Sequence, residues 1–516
     1  MAEPSNGKRW FYLPRLLVAA THSGAGKTTV AVGVAAAWRR RGKAVQAFKV
    51  GPDYIDPSHL AAATGRPARN LDSWLMPPGL LPAAFARACR GADVAVVEGV
   101  MGLFDGLAYG DDTASSAELA RILGLPVVLV VDASACARSA AACALGFVRF
   151  SPTLSWAGFV VNRVGGPAHG RGVAQAIEEA TGLPVFGWLP RDPTVSVPER
   201  HLGLITAEEM GAEALGPPPG QAGGAAPGSF VERAARLVEA HLDLQRLWQA
   251  ARQAPLVAVE RVPAGEEARM ATQVLRSGDV DGPAGKAEPD ADAGSPAPAR
   301  RPVVAVARDV AFSFHYPENL ELLEQAGARL QFFQPAEGEG IPPGADGLVL
   351  SGGFPELHAS RLAENEGFRA GVRAMVAAGR PVYAECGGLM VLTQAIVYGG
   401  RRWPMAGVLP GEAEMAEALR IGYRQARACA DGWLLRRGEV VRGHEFHHSR
   451  WRNRPESLPP ALEWEQGGRV ERDGAAVGSL WASYVHLHFF SFPQLAWRFV
   501  KACAGRCAGA REAVTP

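Results

Sequence analysis

Leu16-Leu17-Val18-Ala19-Ala20-Thr21-His22-Ser23-Gly24-Ala25-Gly26-Lys27-Thr28-Thr29 is an apolar run that breaks into a glycine-rich turn and then a Lys-Thr pair. An Ala/Val-rich segment of helical period follows to Arg40, so the stretch predicts a buried strand, a loop and a helix. In that geometry, backbone N–H groups and the helix dipole converge on polyphosphate oxygens. Lys27 would reach the β and γ phosphates and Thr28 would ligate Mg²⁺, with Ser23, Gly24, Gly26 and Thr29 lining the loop. Thr21 replaces the first glycine of the usual pattern. A glycine turn without a ligand would not need the Lys-Thr pair.

Working outward, short β-branched runs alternate with Ala-rich helical segments. Ala44 to Val50, Asp93 to Val97, Pro126 to Asp132, Ala157 to Asn162 and Pro184 to Leu189 read as further buried strands. A second series opens at Pro302-Val303-Val304-Ala305-Val306. The fold expected is α/β, with two doubly wound, mostly parallel-sheet domains joined by a Pro/Gly/Ala-rich linker. The boundaries read as a disordered extension over 1–15, a nucleotide domain over 16–255, a linker over 256–301, a second domain over 302–502 and a tail over 503–516.

A chain of 516 residues, 48% apolar and 20% charged, is long enough to bury two cores. Its 53 basic and 52 acidic residues leave +1, which gives no basic field for nucleic acid or an anionic membrane. Seven scattered cysteines, and no apolar run long enough to span a bilayer, fit a soluble protein of the reducing cytoplasm. Cys503 and Cys507 have no second Cys or His pair nearby to complete a metal site. A monomer and a homodimer are both open.

Two acidic strings follow strands at the expected nucleotide edge: Lys49-Val50-Gly51-Pro52-Asp53-Tyr54-Ile55-Asp56-Pro57 and Glu98-Gly99-Val100-Met101-Gly102-Leu103-Phe104-Asp105-Gly106. Asp53 and Glu98 are candidate Mg²⁺ ligands, and Lys49 could stabilise charge on a transferred phosphoryl group. The same strings are also respectable turn sequences. This half resembles the dethiobiotin synthetase-like branch of the phosphate-loop enzymes, which activate a carboxylate by phosphorylation. The resemblance implies that Asn162 of Val160-Val161-Asn162-Arg163-Val164 faces the adenine.

The second half carries Ala384-Glu385-Cys386-Gly387-Gly388, a strand running into a cysteine and a glycine turn, with a helix expected as far as Ala395. This is the pattern of a nucleophile on a sharp strand-to-helix turn, where a helix N-terminus favours the thiolate. Oxyanion donors are expected at Gly387 and at Gly353 of Ser351-Gly352-Gly353-Phe354-Pro355-Glu356. Ser483-Tyr484-Val485-His486-Leu487-His488-Phe489 reads as a strand with both histidines on one face, and His486 is the candidate base. The spacing resembles the class I glutamine amidotransferases, in which a Glu two positions after the His orients it. Here that position is His488, which is open to an orienting, a substrate-binding or a packing role.

Longer strings sharpen the resemblance. Val306 to Asn319, including Ala311-Phe312-Ser313-Phe314, Gly353 to Leu357, Gly443-His444-Glu445-Phe446-His447, and Pro198 to Leu204 are similar to the cobyrinic acid a,c-diamide synthases. That resemblance implies ATP- and glutamine-dependent amidation of the a and c carboxylates of cobyrinate or a related tetrapyrrole, with Mg²⁺. Ammonia released at the cysteine must then reach an acyl phosphate without being protonated in bulk water, which implies a passage. Hydrogenobyrinate or nickel-sirohydrochlorin amidation shares the chemistry. Cobyric acid synthases would not be expected to carry Ala311-Phe312-Ser313-Phe314. A nucleotide-switch ATPase with a degenerate cysteine domain is the reading from another class.

Overall fold

Buried parallel strands must end side by side, and here those ends assemble the chemistry. The computed structural model describes residues 8–195, 199–200, 203–204, 228–260 and 301–505, which divide into two compact units on either side of residues 262 and 263. The linker residues 261–300, Cys507, and Pro198, His201 and Leu202 of the Pro198–Leu204 string lie outside the described residues.

The first unit is built on a seven-stranded parallel sheet. Its strands are β2 (Arg15–Ala20), β3 (Val45–Val50), β4 (Arg69–Leu71), β5 (Val94–Glu98), β6 (Val127–Asp132), β7 (Trp156–Val164) and β8 (Val185–Pro190). Their order is β4-β3-β5-β2-β6-β7-β8. Strand β2 is central and buried along its whole length, as an uninterrupted apolar run requires when helices cover both faces. Register places Lys49 opposite Glu98 and Asp132 opposite Asn162, so these groups collect at one edge of the sheet. Helix Lys27–Arg40 is buried from Val30 to Trp38 and lies against helix Phe230–His241. The fit is close: a Cβ on Gly33 would stand 2.7 Å from the Ala234 carbonyl.

The expected boundaries need correction. Residues 8–11, read as part of a disordered extension, form β1 (Lys8–Phe11), and residues 257–260, read as linker, form β11 (Val257–Glu260). The two pair antiparallel, and the Phe11 ring meets Phe85 edge-on at 6.2 Å. Neither four-residue segment is a stable strand alone, and no local pattern announces a partner so distant in the chain. Beneath this pair the buried Arg15 guanidinium donates to the carbonyls of Leu123, Leu13 and Pro255.

The second unit has a six-stranded sheet made of β12 (Val303–Ala307), β13 (Arg329–Phe333), β14 (Gly347–Leu350), β15 (Val382–Glu385), β22 (Ala475–Val477) and β23 (Leu480–Ser483). Their order is β13-β12-β14-β15-β23-β22, parallel except for β22. A further sheet, not anticipated, is dominated by the antiparallel pair β18 (Glu412–Ala428) and β19 (Val440–Arg452). The helix after Cys386 stops at Leu392, and Ala395 opens a strand of that sheet. The last described helix, Gln494–Gly505, runs into the expected tail, with Cys503 packed against Gly347. No helix among the described residues is long and apolar enough to cross a membrane.

The strand expected across Ser483–Phe489 is not one strand. β23 ends at Ser483, and β24 (His486–Leu487) pairs with β19 in the other sheet. The switch is built by side chains that take backbone donors out of the ladder. The Asp473 carboxylate accepts from Tyr484 N at 2.7 Å, and the Ser483 hydroxyl accepts from Val485 N at 3.0 Å.

Arg15→Met should lower the stability of the first unit by about 3 kcal/mol, since buried carbonyls left without donors cost about 1–3 kcal/mol each. Denaturant unfolding followed on the purified variant checks this, and an unchanged midpoint would refute the bracing role.

Candidate active sites

At the carboxyl end of β2, Gly24 (φ +77°) and Gly26 (φ +97°) take left-handed conformations open to glycine. Ser23 and Gly24 are exposed, while Thr28 and Thr29 are half-buried in the first helical turn. The Lys27 ammonium folds back over the loop, donating to the carbonyls of Met101 at 2.6 Å and His22 at 3.3 Å. Burial, reinforced by the neighbouring Lys49 charge, pulls its pKa down to about 8. A cation so poorly compensated gains from an arriving anion.

The acids beside it divide their tasks. Thr28 Oγ1 donates to Glu98 Oε1 at 2.7 Å, and Lys49 donates to the same oxygen at 2.9 Å, to Asp56 Oδ2 at 2.5 Å and to the Gly99 carbonyl at 3.1 Å. Three acceptors fill all three Lys49 donors, and the acids hold its pKa above the ordinary value despite burial. Asp56, given no role from sequence, is its shortest partner. Burial works against the Asp56 charge, but Lys49 more than offsets it and brings the carboxyl down to about 2. Burial and the Asp56 charge push Asp53 up to about 7, although its Oδ1 accepts from Ile55 N at 2.7 Å. Burial likewise raises Glu98 to about 7.

Asn162, expected from the resemblance to face the adenine, reaches under the phosphate loop. Its Nδ2 donates to the Ala25 carbonyl at 2.8 Å and its Oδ1 accepts from Arg163 N, so the amide braces the loop from beneath. A Cβ on Gly26 would stand 2.1 Å from that nitrogen.

In the second unit Cys386 leaves β15 at φ +47°, a left-handed value rare for a side-chain-bearing residue, and caps helix Gly387–Leu392. The following glycines are required by space. A Cβ on Gly388 would meet the Leu350 carbonyl at 2.1 Å, and one on Gly387 would stand 3.3 Å from Gly353 N, so the two expected oxyanion positions do come together. The thiol is not activated by the helix end alone, contrary to expectation. Burial, then the Glu356 carboxylate, hold its pKa well above the ordinary value, and the Gly387 N–H offsets only part of this. A six-residue helix has too few aligned peptides to overcome burial and the neighbouring Glu356, Glu385 and Asp473 carboxylates.

His486 lies opposite His444 across the β24–β19 pair, their rings stacked at 5.1 Å, and β19 also places the Phe446 carbonyl 3.9 Å from the Cys386 sulfur. Glu385, unassigned from sequence, comes within 3.7 Å of His486 Nδ1. His488 is turned to packing: its Nδ1 accepts from Phe490 N at 3.3 Å and its ring lies 4.6 Å from Tyr316.

Residues 16–205 match the CobQ/CobB/MinD/ParA nucleotide binding domain, and residues 303–494 match the CobB/CobQ-like glutamine amidotransferase domain. The hydrogenobyrinate a,c-diamide synthase of Streptomyces coelicolor is 41% identical over 95% of this chain and 98% of its own. The cobyrinate a,c-diamide synthases of Syntrophotalea carbinolica and Methanosarcina acetivorans are 40% and 38% identical, covering 95% and 97% of this chain and 99% and 97% of theirs. The chain belongs to this a,c-diamide synthase family. It is a glutamine-hydrolysing amide ligase that uses ATP, and the nucleotide-switch alternative is not favoured. The phosphate loop after β2 lies in the matched nucleotide binding domain, and the cysteine turn after β15 lies in the matched glutamine amidotransferase domain.

Gly26→Ala should weaken nucleotide binding at least about tenfold, because a side chain at φ +97° would also strike Asn162; calorimetric titration with ATP checks it. His488→Asn should keep glutaminase kcat within about threefold while His486→Ala loses about 10²–10⁴-fold, the usual worth of a general base. Equal losses in a steady-state ammonia assay would return His488 to the chemistry.

Proposed function

We propose that the chain amidates the a and c carboxylates of cobyrinate, consuming one ATP and one glutamine for each amide. The observation that carries this reading is one chain holding a phosphate loop with an undercompensated buried lysine and a cysteine forced onto a strand-to-helix turn, matched along its length to a,c-diamide synthases. Hydrogenobyrinate is the second reading, favoured by the 41% identity to the Streptomyces coelicolor enzyme.

In this scheme the substrate carboxylate attacks the γ-phosphoryl group held by the loop amides and Lys27, giving an acyl phosphate and ADP. Lys49 stabilises the charge on the transferred group by releasing one of its three acceptors. Magnesium fits the residues present: Glu98 Oε2 is fully buried with no hydrogen-bond partner among the described residues, beside the Thr28 hydroxyl and near Asp53. Mg²⁺ usually keeps several waters and is held by one or two carboxylates together with phosphates, which this edge and a bound nucleotide would supply. When bound, the ion would neutralise charge on the phosphate oxygens.

At the other site His486 takes the Cys386 proton, and the thiolate attacks the glutamine amide carbon. The oxyanion is received by the Gly387 and Gly353 N–H groups, and ammonia leaves with a proton from His486. Water then attacks the thioester, releasing glutamate and regenerating the thiol. Ammonia displaces phosphate from the acyl phosphate to form the amide.

Incubation with cobyrinate, ATP, Mg²⁺ and glutamine, followed by mass spectrometry, should show two successive OH-to-NH₂ exchanges. Cys386→Ala should abolish glutamine use and keep ammonium-dependent amidation, and Lys27→Ala should abolish both. Loss of the ammonium-dependent reaction in Cys386→Ala would break the two-site scheme.

A further inference from the structure

A histidine base works only when something fixes its ring and its tautomer through the nitrogen turned away from the nucleophile. His488 is not that group, because its Nδ1 caps the turn at Phe490. Nor is His444, whose Nδ1 lies 3.3 Å from the Tyr316 hydroxyl and whose ring stacks on that of His486. The carboxylate that faces His486 belongs to the residue immediately before the nucleophile.

We propose that Glu385 is the positioning residue of the cysteine site, orienting His486 through Nδ1 and stabilising its imidazolium from a place one residue N-terminal to the nucleophile. The inference rests on the reading of Cys386 as nucleophile and His486 as base. Glu385 is buried, and its two oxygens are used differently. Oε1 is anchored by Leu487 N at 2.7 Å and by the Tyr383 hydroxyl, while Oε2 stands 3.7 Å from His486 Nδ1. The anchoring donor, Leu487 N, comes from the residue next to His486, so the carboxylate fixes the strand that carries the base as well as the ring. A shift of under an ångström makes the contact a hydrogen bond, the kind of tightening that catalytic pairs undergo when substrate binds.

Adjacent residues of a strand ordinarily point to opposite faces. Here the left-handed turn at Cys386 takes the thiol out of that alternation, and both groups serve one site against β19. The electrostatics follow the same logic. Cys386 faces Glu356, Glu385 and Asp473, all of which disfavour a lone thiolate, and the neutral Tyr484 phenol. His486 faces Glu385 from β15 and His444 from β19, with the Phe314 ring 6.3 Å away. A thiolate is therefore favoured as a pair with an imidazolium, and among the described residues Glu385, 3.7 Å from His486 Nδ1, is placed to support that imidazolium.

The test compares full-length wild type with Glu385→Gln, Glu385→Asp, Cys386→Ala and His486→Ala. It measures glutaminase kcat and KM, and the pH dependence of Cys386 alkylation by iodoacetamide read by mass on its own peptide. Gln keeps an oxygen for Leu487 N but removes the charge, so kcat should fall about 10²-fold or more with KM within about threefold. The alkylation profile should move to higher pH, and Asp should restore part of kcat. Wild-type kcat in Glu385→Gln, or an unshifted alkylation profile, would overturn the proposal. Glutaminase surviving in Cys386→Ala or His486→Ala would instead overturn the nucleophile and base assignment beneath it.

Discussion

The two glycine turns of this chain depend on one constraint: a parallel strand buried on both faces can offer its backbone and side chains to a ligand only where it ends. At the end of β2 the chain turns through Gly24 and Gly26 so that amides face outward before the helix begins. At the end of β15 it turns through Cys386 itself, and the flanking glycines yield the space, since Leu350 and Pro355 occupy the positions where side chains would go. Neighbouring strands end level with these turns. That brings Lys49 and Glu98 to the first and sets Gly353 against the second.

The two sites solve opposite electrostatic problems. The first gathers charge: two lysines and three carboxylates share a buried edge, and Lys27, Asp53 and Glu98 are left incompletely compensated. Such a cluster can pair the Lys27 cation with a polyphosphate and the Asp53 and Glu98 carboxylates with a divalent ion. The second suppresses charge, since burial and acids keep the thiol protonated until a base takes the proton. A buried thiol held protonated is also a poor target for oxidation.

Much of this was legible in the sequence. The six strands read in the first unit stand within two residues of the observed ones, because fully buried parallel strands are written as unbroken β-branched runs. Lys27, Thr28, Lys49, Glu98, Cys386 and His486 stand out as candidates because glycine turns and strand ends mark them locally, and the structure brings Thr28, Lys49 and Glu98 into hydrogen-bond contact. What escaped depends on distant partners or unusual torsions. Glu385 reads as an ordinary strand residue unless Cys386 is known to turn left-handed. Asp56 reads as a helix opener unless Lys49 is known to point at it. The two-residue β24 changes sheets on the strength of Asp473 and Ser483, and no periodicity can announce a strand that short.

The pairing of β1 with β11 brings the first and last described segments of the first unit side by side. During synthesis β1 emerges first and has no partner until β11 follows, on the order of tens of seconds later at about 5–20 residues per second. The Pro255 carbonyl that completes the Arg15 cradle arrives at almost the same moment. The nascent unit therefore carries an unclosed edge and an incompletely bonded buried cation until its final segment appears. Its last fold-completing step is a seam drawn shut by the very residues that lead the chain onward to the second unit.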